Sequence, residues 1–334
     1  MEFKDFIIPL AWPESLVRTA EGPYDFIMKS INLCKDDYYK AGHAAFLLIE
    51  ASTGSVQYFD FGRYITPNKQ GRVRSETTDP ELTFTLKAEI KNGNIININE
   101  LIEYTGQHPD THGSGTLYTG IHKGVNHQLA SLYITEKQNK PYIPYGPFHF
   151  GGTNCSRFVA QTIAKSTKIS GIKFLFPFYG TPSPLGNIYN SSEKEWFKFR
   201  DNKVEILNKN GSIKHLSLLS SMLFFKKDES IPNSSLNLQG TINTPQKLKK
   251  TPANAKWLGG TGAGAWYYFN KKSDHQYNFG RQQENGNTDF EFWFETKQPN
   301  FKHDSLYEYT YPCHALKITI VQNSETFIFS RVLE

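Results

Sequence analysis

Gly151-Gly-Thr-Asn-Cys-Ser-Arg-Phe-Val-Ala-Gln-Thr-Ile-Ala164 is the stretch on which the reading of this chain turns. Phe158, Val159, Thr162 and Ile163 recur at helical spacing, so a helix runs on from Cys155, and Asn154 is placed to cap it. Cys155 then sits in the first helical turn. There the unpaired N–H groups and the axial dipole favour an anion, and the thiolate is the nucleophilic form of a thiol. The glycines just before, Gly151 and Gly152, would let a substrate backbone approach closely.

A cysteine nucleophile needs an imidazole to pair with it and to protonate the leaving group. His43 is the best candidate, because it follows Gly42 and opens the apolar run Ala44-Ala-Phe-Leu-Leu-Ile49. Ser52-Thr-Gly-Ser55 and the aromatic run Val56-Gln-Tyr-Phe-Asp-Phe61 complete a β-hairpin. A third polar group should hold the imidazole. Asp60 on the returning strand is the first choice, with Gln57 and Tyr58 as alternatives. A cysteine beginning an amphipathic helix and a histidine beginning a strand are also ordinary structural residues, and composition alone favours that plainer reading.

Pro141-Tyr142, Gly151-Gly152 and Asn154-Cys155-Ser156-Arg157-Phe158-Val159 resemble the nucleophile motif of the NlpC-type cell-wall peptidases. In those enzymes an aromatic residue and a Gly-Gly pair precede an Asp-Cys-Ser-Gly-Phe-Val helix. The resemblance implies a papain-like fold with a Cys, His and polar-residue triad. Because Gly42-His43-Ala44 precedes the cysteine helix, it points to the circularly permuted branch, which includes amide hydrolases and lecithin:retinol acyltransferase-like enzymes. The whole chain also resembles a bacterial family that carries both the Gly-His-Ala hairpin with Phe59-Asp-Phe-Gly-Arg63 and the Gly-Gly-Thr-Asn-Cys-Ser-Arg-Phe segment; that likeness brings no substrate with it. Two departures stand out: Asn154 replaces the Asp before the cysteine, and Arg157 replaces a small Gly, putting a bulky cation beside the nucleophile. By similarity to the aromatic before Gly-Gly, Tyr142 or Tyr145 would supply a hydroxyl on the oxyanion side.

The 334 residues, 38% hydrophobic and 14% aromatic, describe a folded globular chain of one or two domains. Three cysteines (Cys34, Cys155, Cys313) without a Cys-x-x-Cys pair give neither a disulfide framework nor a zinc site and suit a reducing compartment. A net charge of +5 is too dilute for nucleic-acid binding. No apolar run is long enough for a membrane helix, and Pro9 and Pro13 interrupt the start before a signal-peptide core forms. The expectation is a cytoplasmic protein without cofactor, with secretion by a route needing no signal left open.

The expected architecture is α+β. Residues 1–225 form a permuted papain-like catalytic domain of antiparallel sheet plus helices, 226–254 a linker or long surface loop rich in Lys, Ser, Asn and Pro, and 255–334 a small antiparallel β domain of alternating aromatic and polar residues. Further elements are a strand over Leu82–Ile90, helices over Ile98–Tyr104 and Val125–Lys137, and short strands between 195 and 225. Arg72 and Arg74 suit recognition of a substrate carboxylate or phosphate, although internal pairing with Asp or Glu is the commoner use. His108-Pro-Asp-Thr-His112 holds ligand atoms, but Pro109 breaks the helical spacing of a metal-binding pair. Gly259-Gly-Thr-Gly-Ala-Gly264 lacks the Gly-Lys-Ser/Thr ending of a phosphate loop and reads as a tight β turn. Cys313-His314 comes too late for the permuted motif and reads as structural.

These residues point to hydrolysis of an amide or isopeptide bond in a peptide, peptidoglycan fragment or acyl lipid. Acyl transfer is the enzymatic alternative. The other alternative is a non-catalytic module whose aromatic C-terminal domain binds a protein or glycan.

Overall fold

The computed structural model describes residues 2–19, 29–30, 34–146, 151–168, 183–192, 195–208, 230–231 and 243–333. They form two large antiparallel sheets, two small ones built of two-residue strands, and a few helices, an α+β arrangement. The first sheet is built from β1 (Asp5–Trp12), β2 (His43–Ile49), β3 (Val56–Gly62), β4 (Gln70–Arg74), β5 (Leu117–Gly120), β6 (His122–Val125), β7 (Ile143–Pro144), β8 (Glu195–Arg200) and β9 (Lys203–Asn208). Its order is β7-β4-β3-β2-β1-β5-β8-β9, and β6 also pairs with β1. The helices are α1 (Ile98–Gln107), α2 (His127–Gln138), α3 (Cys155–Ser166) and α4 (Pro184–Ser191).

The central strands β1 and β2 are buried along their whole length, so they are covered on both faces. Ala44, Phe46 and Leu48 meet Phe158, Val159 and Ile163 of α3 on one face. Ala45, Leu47 and Ile49 join Leu82, Phe84, Leu101, Phe197 and Phe199 on the other. The strand expected over Leu82–Ile90 does not form. Leu82 ends a 3-10 turn (Pro80–Leu82), and Leu82, Phe84 and Ala88 pack onto the sheet without joining it. The segment's polar backbone is met in other ways: Ala88 N–H donates to Gly54 O, and Asn97 accepts from Glu89 N–H and donates to Lys87 O. Both expected helices form, as α1 and α2. Between 195 and 208 the expected short strands are β8 and β9; 209–225 lies outside the described residues, as do 226–229 and 232–242 of the expected linker.

The second sheet comprises β10 (Lys256–Leu258), β11 (Ala265–Lys271), β12 (Gln276–Gln282), β13 (Thr288–Glu295), β14 (Glu308–His314), β15 (Lys317–Gln322) and β16 (Glu325–Arg331), ordered β10-β11-β12-β13-β16-β15-β14. It curls until its edges approach: Lys256 Nζ donates to Tyr307 O at 2.5 Å, and the Tyr311 hydroxyl to Gly259 O. Tyr267, Tyr277, Phe279, Phe294 and Phe329 fill the interior, which accounts for the aromatic alternation. Cys313 is part of that core; burial pushes its thiol up to about 12 and leaves it inert.

Candidate active site

The local backbone places each group. Asn154 adopts an extended conformation and its Oδ1 accepts from Arg157 N–H at 2.9 Å, which caps α3 and leaves Cys155 in the first turn. The helix start is steadied by Asn187 of α4, whose Nδ2 donates to Ser156 O at 3.0 Å. Ahead of it the chain closes a short loop: Thr153 N–H donates to Pro144 O, and Gly146 N–H to Thr153 O. Residues 147–150 of that loop lie outside the described residues.

His43 begins β2 after Gly42, whose φ of +71° and tight surroundings exclude a side chain; a Cβ there would stand 2.9 Å from Trp12 O. Ala45 pairs with Asp60 across β2 and β3, so His43, two residues away on the same face, is the diagonal neighbour of Asp60. Its Nε2 stands 3.4 Å from Asp60 Oδ2, an ion-pair distance, but the pair is not aligned as a hydrogen bond. The Trp12 ring lies along the imidazole, with centroids 5.7 Å apart and planes at 24°. Cys155, His43, Tyr64, His112 and Tyr145 line one cavity of about 110 Å³, with Thr261 and Gly262 from the C-terminal part of the chain on its wall.

Asp60 is fully buried and its carboxylate is held from several sides. Arg74 donates to both oxygens, at 3.0 and 2.6 Å, and the Tyr58 hydroxyl donates to Oδ2 at 3.1 Å. Burial alone would raise its pKa, but Arg74 and then His43 hold the carboxyl well below the usual range. Asp60 is therefore a fixed negative charge beside the imidazole. Burial would likewise strip the proton from His43. The close carboxylate of Asp60 and then Cys155 outweigh that and raise the ring to about 9. At neutral pH this places a cationic imidazole beside Cys155, the charge that favours a thiolate over a thiol.

Arg74 and Arg72 have partners within the protein in place of a substrate anion. Arg74 serves Asp60 and lies over the Tyr64 ring at 3.7 Å, and Arg72 makes a bidentate pair with Asp79 at 2.6 Å for both bonds. Both are buried. Asp79 and Glu81 in turn bind Arg281 of β12, so charge buried in the first sheet is tied to the second. Tyr145 stacks on Phe61 and lines the thiol cavity, whereas the Tyr142 ring is 43% exposed outside it. Gly151 is exposed, with a φ of +71°, and Gly152 O accepts from Arg157 Nη1 at 3.1 Å, which turns that guanidinium back along its own loop. His108 and His112 flank a 3-10 turn, where His108 Nδ1 accepts from Asp110 N–H and His112 stacks on Tyr64 at 5.1 Å. No cluster of three or more metal-ligating side chains occurs among the described residues. Tyr58, one alternative for the group holding His43, instead donates to Asp60, while Trp12, Tyr64 and the Thr261-Gly262 wall were not legible as site residues, since nothing in their local sequence marks them.

Residues 7–172 match the family model described as Type VI secretion system effector TseH-like, and residues 255–332 match the DUF6695 C-terminal domain. No curated protein matches the chain. A crystal structure of the Type VI secretion system effector TseH is similar at 20% identity with a TM-score of 0.42, over 60% of this chain and 97% of that one. From residue 7 to 172, then, the chain is similar to the TseH-like effector family, and the helix of Cys155 and the hairpin of His43 and Asp60 both lie inside that span.

Proposed function

We propose that this chain is a cysteine-dependent hydrolase of amide or isopeptide bonds, on a permuted papain-like scaffold, acting as an effector of the Type VI kind. The observation that carries the reading is the single small cavity in which Cys155 meets His43, with the ring backed by the buried Asp60–Arg74 pair. The match of residues 7–172 to the TseH-like effector family supports it.

In this mechanism Nε2 of His43 faces Asp60, which leaves Nδ1 for the thiol. The Cys155 Sγ thiolate attacks the carbonyl carbon, and the carbonyl π electrons move onto oxygen. Backbone N–H groups at the start of α3, which have no partner within the helix, stabilise that oxyanion. Arg157 N–H is already taken by Asn154, so the N–H groups of Cys155 and Ser156 carry this role. As the C–N bond breaks, His43 gives its proton to the leaving amine and a thioester remains. His43 then takes a proton from water, the hydroxide adds to the thioester, and Cys155 leaves as the thiolate with release of a carboxylic acid. An amine or alcohol in place of water would give acyl transfer by the same steps.

The test is the pH profile of Cys155 alkylation by iodoacetamide, read by mass spectrometry in the native chain and in His43→Ala. The expected result is fast alkylation well below pH 8, ahead of Cys34 and Cys313, and a shift to higher pH without His43. A profile like that of a free thiol, indifferent to His43→Ala, would overturn the proposal.

A further inference from the structure

Helix α4 touches both halves of the Cys155–His43 pair. Its start is set locally: Ser183 Oγ accepts from Gly186 N–H at 3.0 Å as the cap, and Pro184 opens the first turn. Leu185 and Ile188 seat the helix on β1 and β5, where they pack with Ala11, Tyr118 and Trp196. Ala11 and Trp12 pair with Ala44 and His43, so α4 lies beside the start of β2. Another side of α4 carries Pro184 and Asn187, three residues apart and therefore neighbours. Pro184 stands against the residue before His43, since a Cβ on Gly42 would lie 3.1 Å from Pro184 Cγ. Asn187 reaches α3, where its Nδ2 donates at 3.0 Å to the carbonyl of Ser156, the residue after Cys155. One face of a short helix thus abuts the backbone next to the imidazole and holds the backbone next to the thiol.

Asn187 joins the two helices at a cost in stability. It is 1% exposed, and among the described residues its Oδ1 has no partner, nor has the neighbouring Ser156 Oγ. A buried amide oxygen left unpaired opposes folding, and a leucine of similar size would fill the same space without that penalty. The Ser156 carbonyl does not need the amide either, since helix geometry already gives it the N–H of Ala160. What the bond adds is direction. It ties the first turn of α3, and with it the heading of the Cys155 side chain, to the helix that stands against Gly42. Reacting groups displaced by about 1 Å lose about a hundredfold in rate, so such a tie bears on chemistry even where it does nothing for stability.

We propose that Asn187 is a positioning residue, which sets the placement of Cys155 relative to His43 through the Ser156 carbonyl and is held in the fold for that role instead of for stability. The inference rests on the thiol-hydrolase reading and deepens it by naming a buried residue on which the pair depends and which does not itself touch substrate.

The test is Asn187→Leu in the full chain, with urea denaturation and the pH profile of Cys155 alkylation by iodoacetamide measured on the same sample. The expected result is a urea midpoint at or above that of the native chain, together with an alkylation midpoint higher by about half a pH unit, the effect of lengthening an ion pair by about 1 Å. Ser191→Ala is the control at the other end of α4. It removes a buried hydroxyl that donates to Asn187 O at 2.6 Å, so it should lower the urea midpoint and leave the alkylation profile where it is. An unmoved profile in folded Asn187→Leu, an equal shift in both variants, or a loss of stability in Asn187→Leu as large as that of the control, failure to fold included, would overturn the proposal while leaving the hydrolase reading in place. A native Cys155 that titrates like a free thiol would overturn the hydrolase reading, and the positioning role with it.

Discussion

Replacing Asp60 by Asn tests the electrostatic core of the site. His43 is held at about 9, against about 6.5 for a free imidazole. The gap is worth about 3.4 kcal/mol of preference for the imidazolium. Burial opposes that preference, so the raising effects of Asp60 and Cys155 together exceed it. Asp60→Asn keeps the size of the side chain but removes the charge, and His43 should fall to about 6.5 or below. At pH 8 the charged fraction would drop from about nine-tenths to about three-hundredths, roughly a thirtyfold loss of the ion pair. The assay is the alkylation rate of Cys155 across pH, together with the imidazole resonances of His43 by NMR. In the native chain the NMR transition should lie near pH 9. The variant should move it toward neutrality and shift the alkylation profile of Cys155 to higher pH, with the rate falling most below pH 8. The substitution also strands the buried Arg74, at a cost of about 3 to 5 kcal/mol, so circular dichroism must show that the variant is folded. Native His43 titrating at or below 6.5 would refute the reasoning without any variant, and so would an unchanged profile in a folded Asp60→Asn.

Other outcomes follow from the same contacts. The raised His43 contributes stability that is fully present below about pH 6.5 and lost as pH rises through about 9, whereas the depressed Asp60 contributes stability present above about pH 4 and lost as pH falls through its lowered value. Urea midpoints at pH 7 and pH 10 should therefore differ, with the higher at pH 7, and His43→Gln should narrow the difference. Arg281→Met would leave Asp79, Glu81 and Asp289 buried without their shared cation and should cost about 3 to 5 kcal/mol, read as a fall in the thermal midpoint. Asn154→Ala removes the cap on Arg157 N–H and should cost about 1 kcal/mol by chemical denaturation, with Cys155 alkylation slowed as the first turn frays.

Much of the scaffold was legible because it rests on local periodicity. The 3.6-residue recurrence from Phe158 to Ile163, the cap at Asn154 and the glycine turn between two apolar runs specify α3 and the β2–β3 hairpin without reference to the rest of the chain. The alternating aromatics likewise marked the C-terminal strands, and their burial in one core follows from that alternation. Leu82 to Ala88 shows where such reasoning ends. Its alternation is real, but a period of two says only that one side is buried, and here it is buried by lying over the sheet.

The sequence by itself determined which chemical groups were at hand: a thiol at a helix start, an imidazole at a strand start, and a carboxylate on the returning strand. The last two are close because a hairpin fixes its own register, so that Ala45 facing Asp60 makes His43 its neighbour. Only the tertiary structure decided that α3 brings Cys155 to that ring, and that Arg74 turns inward to Asp60 while Arg72 goes to Asp79. It also decided that Thr261 and Gly262, about a hundred residues after the cysteine, wall the cavity. The physical reason is range. Caps, turns and hairpins are set by neighbours within a few residues, whereas the partner of a buried charge is whichever opposite charge the packing of distant segments leaves within about 3 Å, and no local pattern encodes that choice.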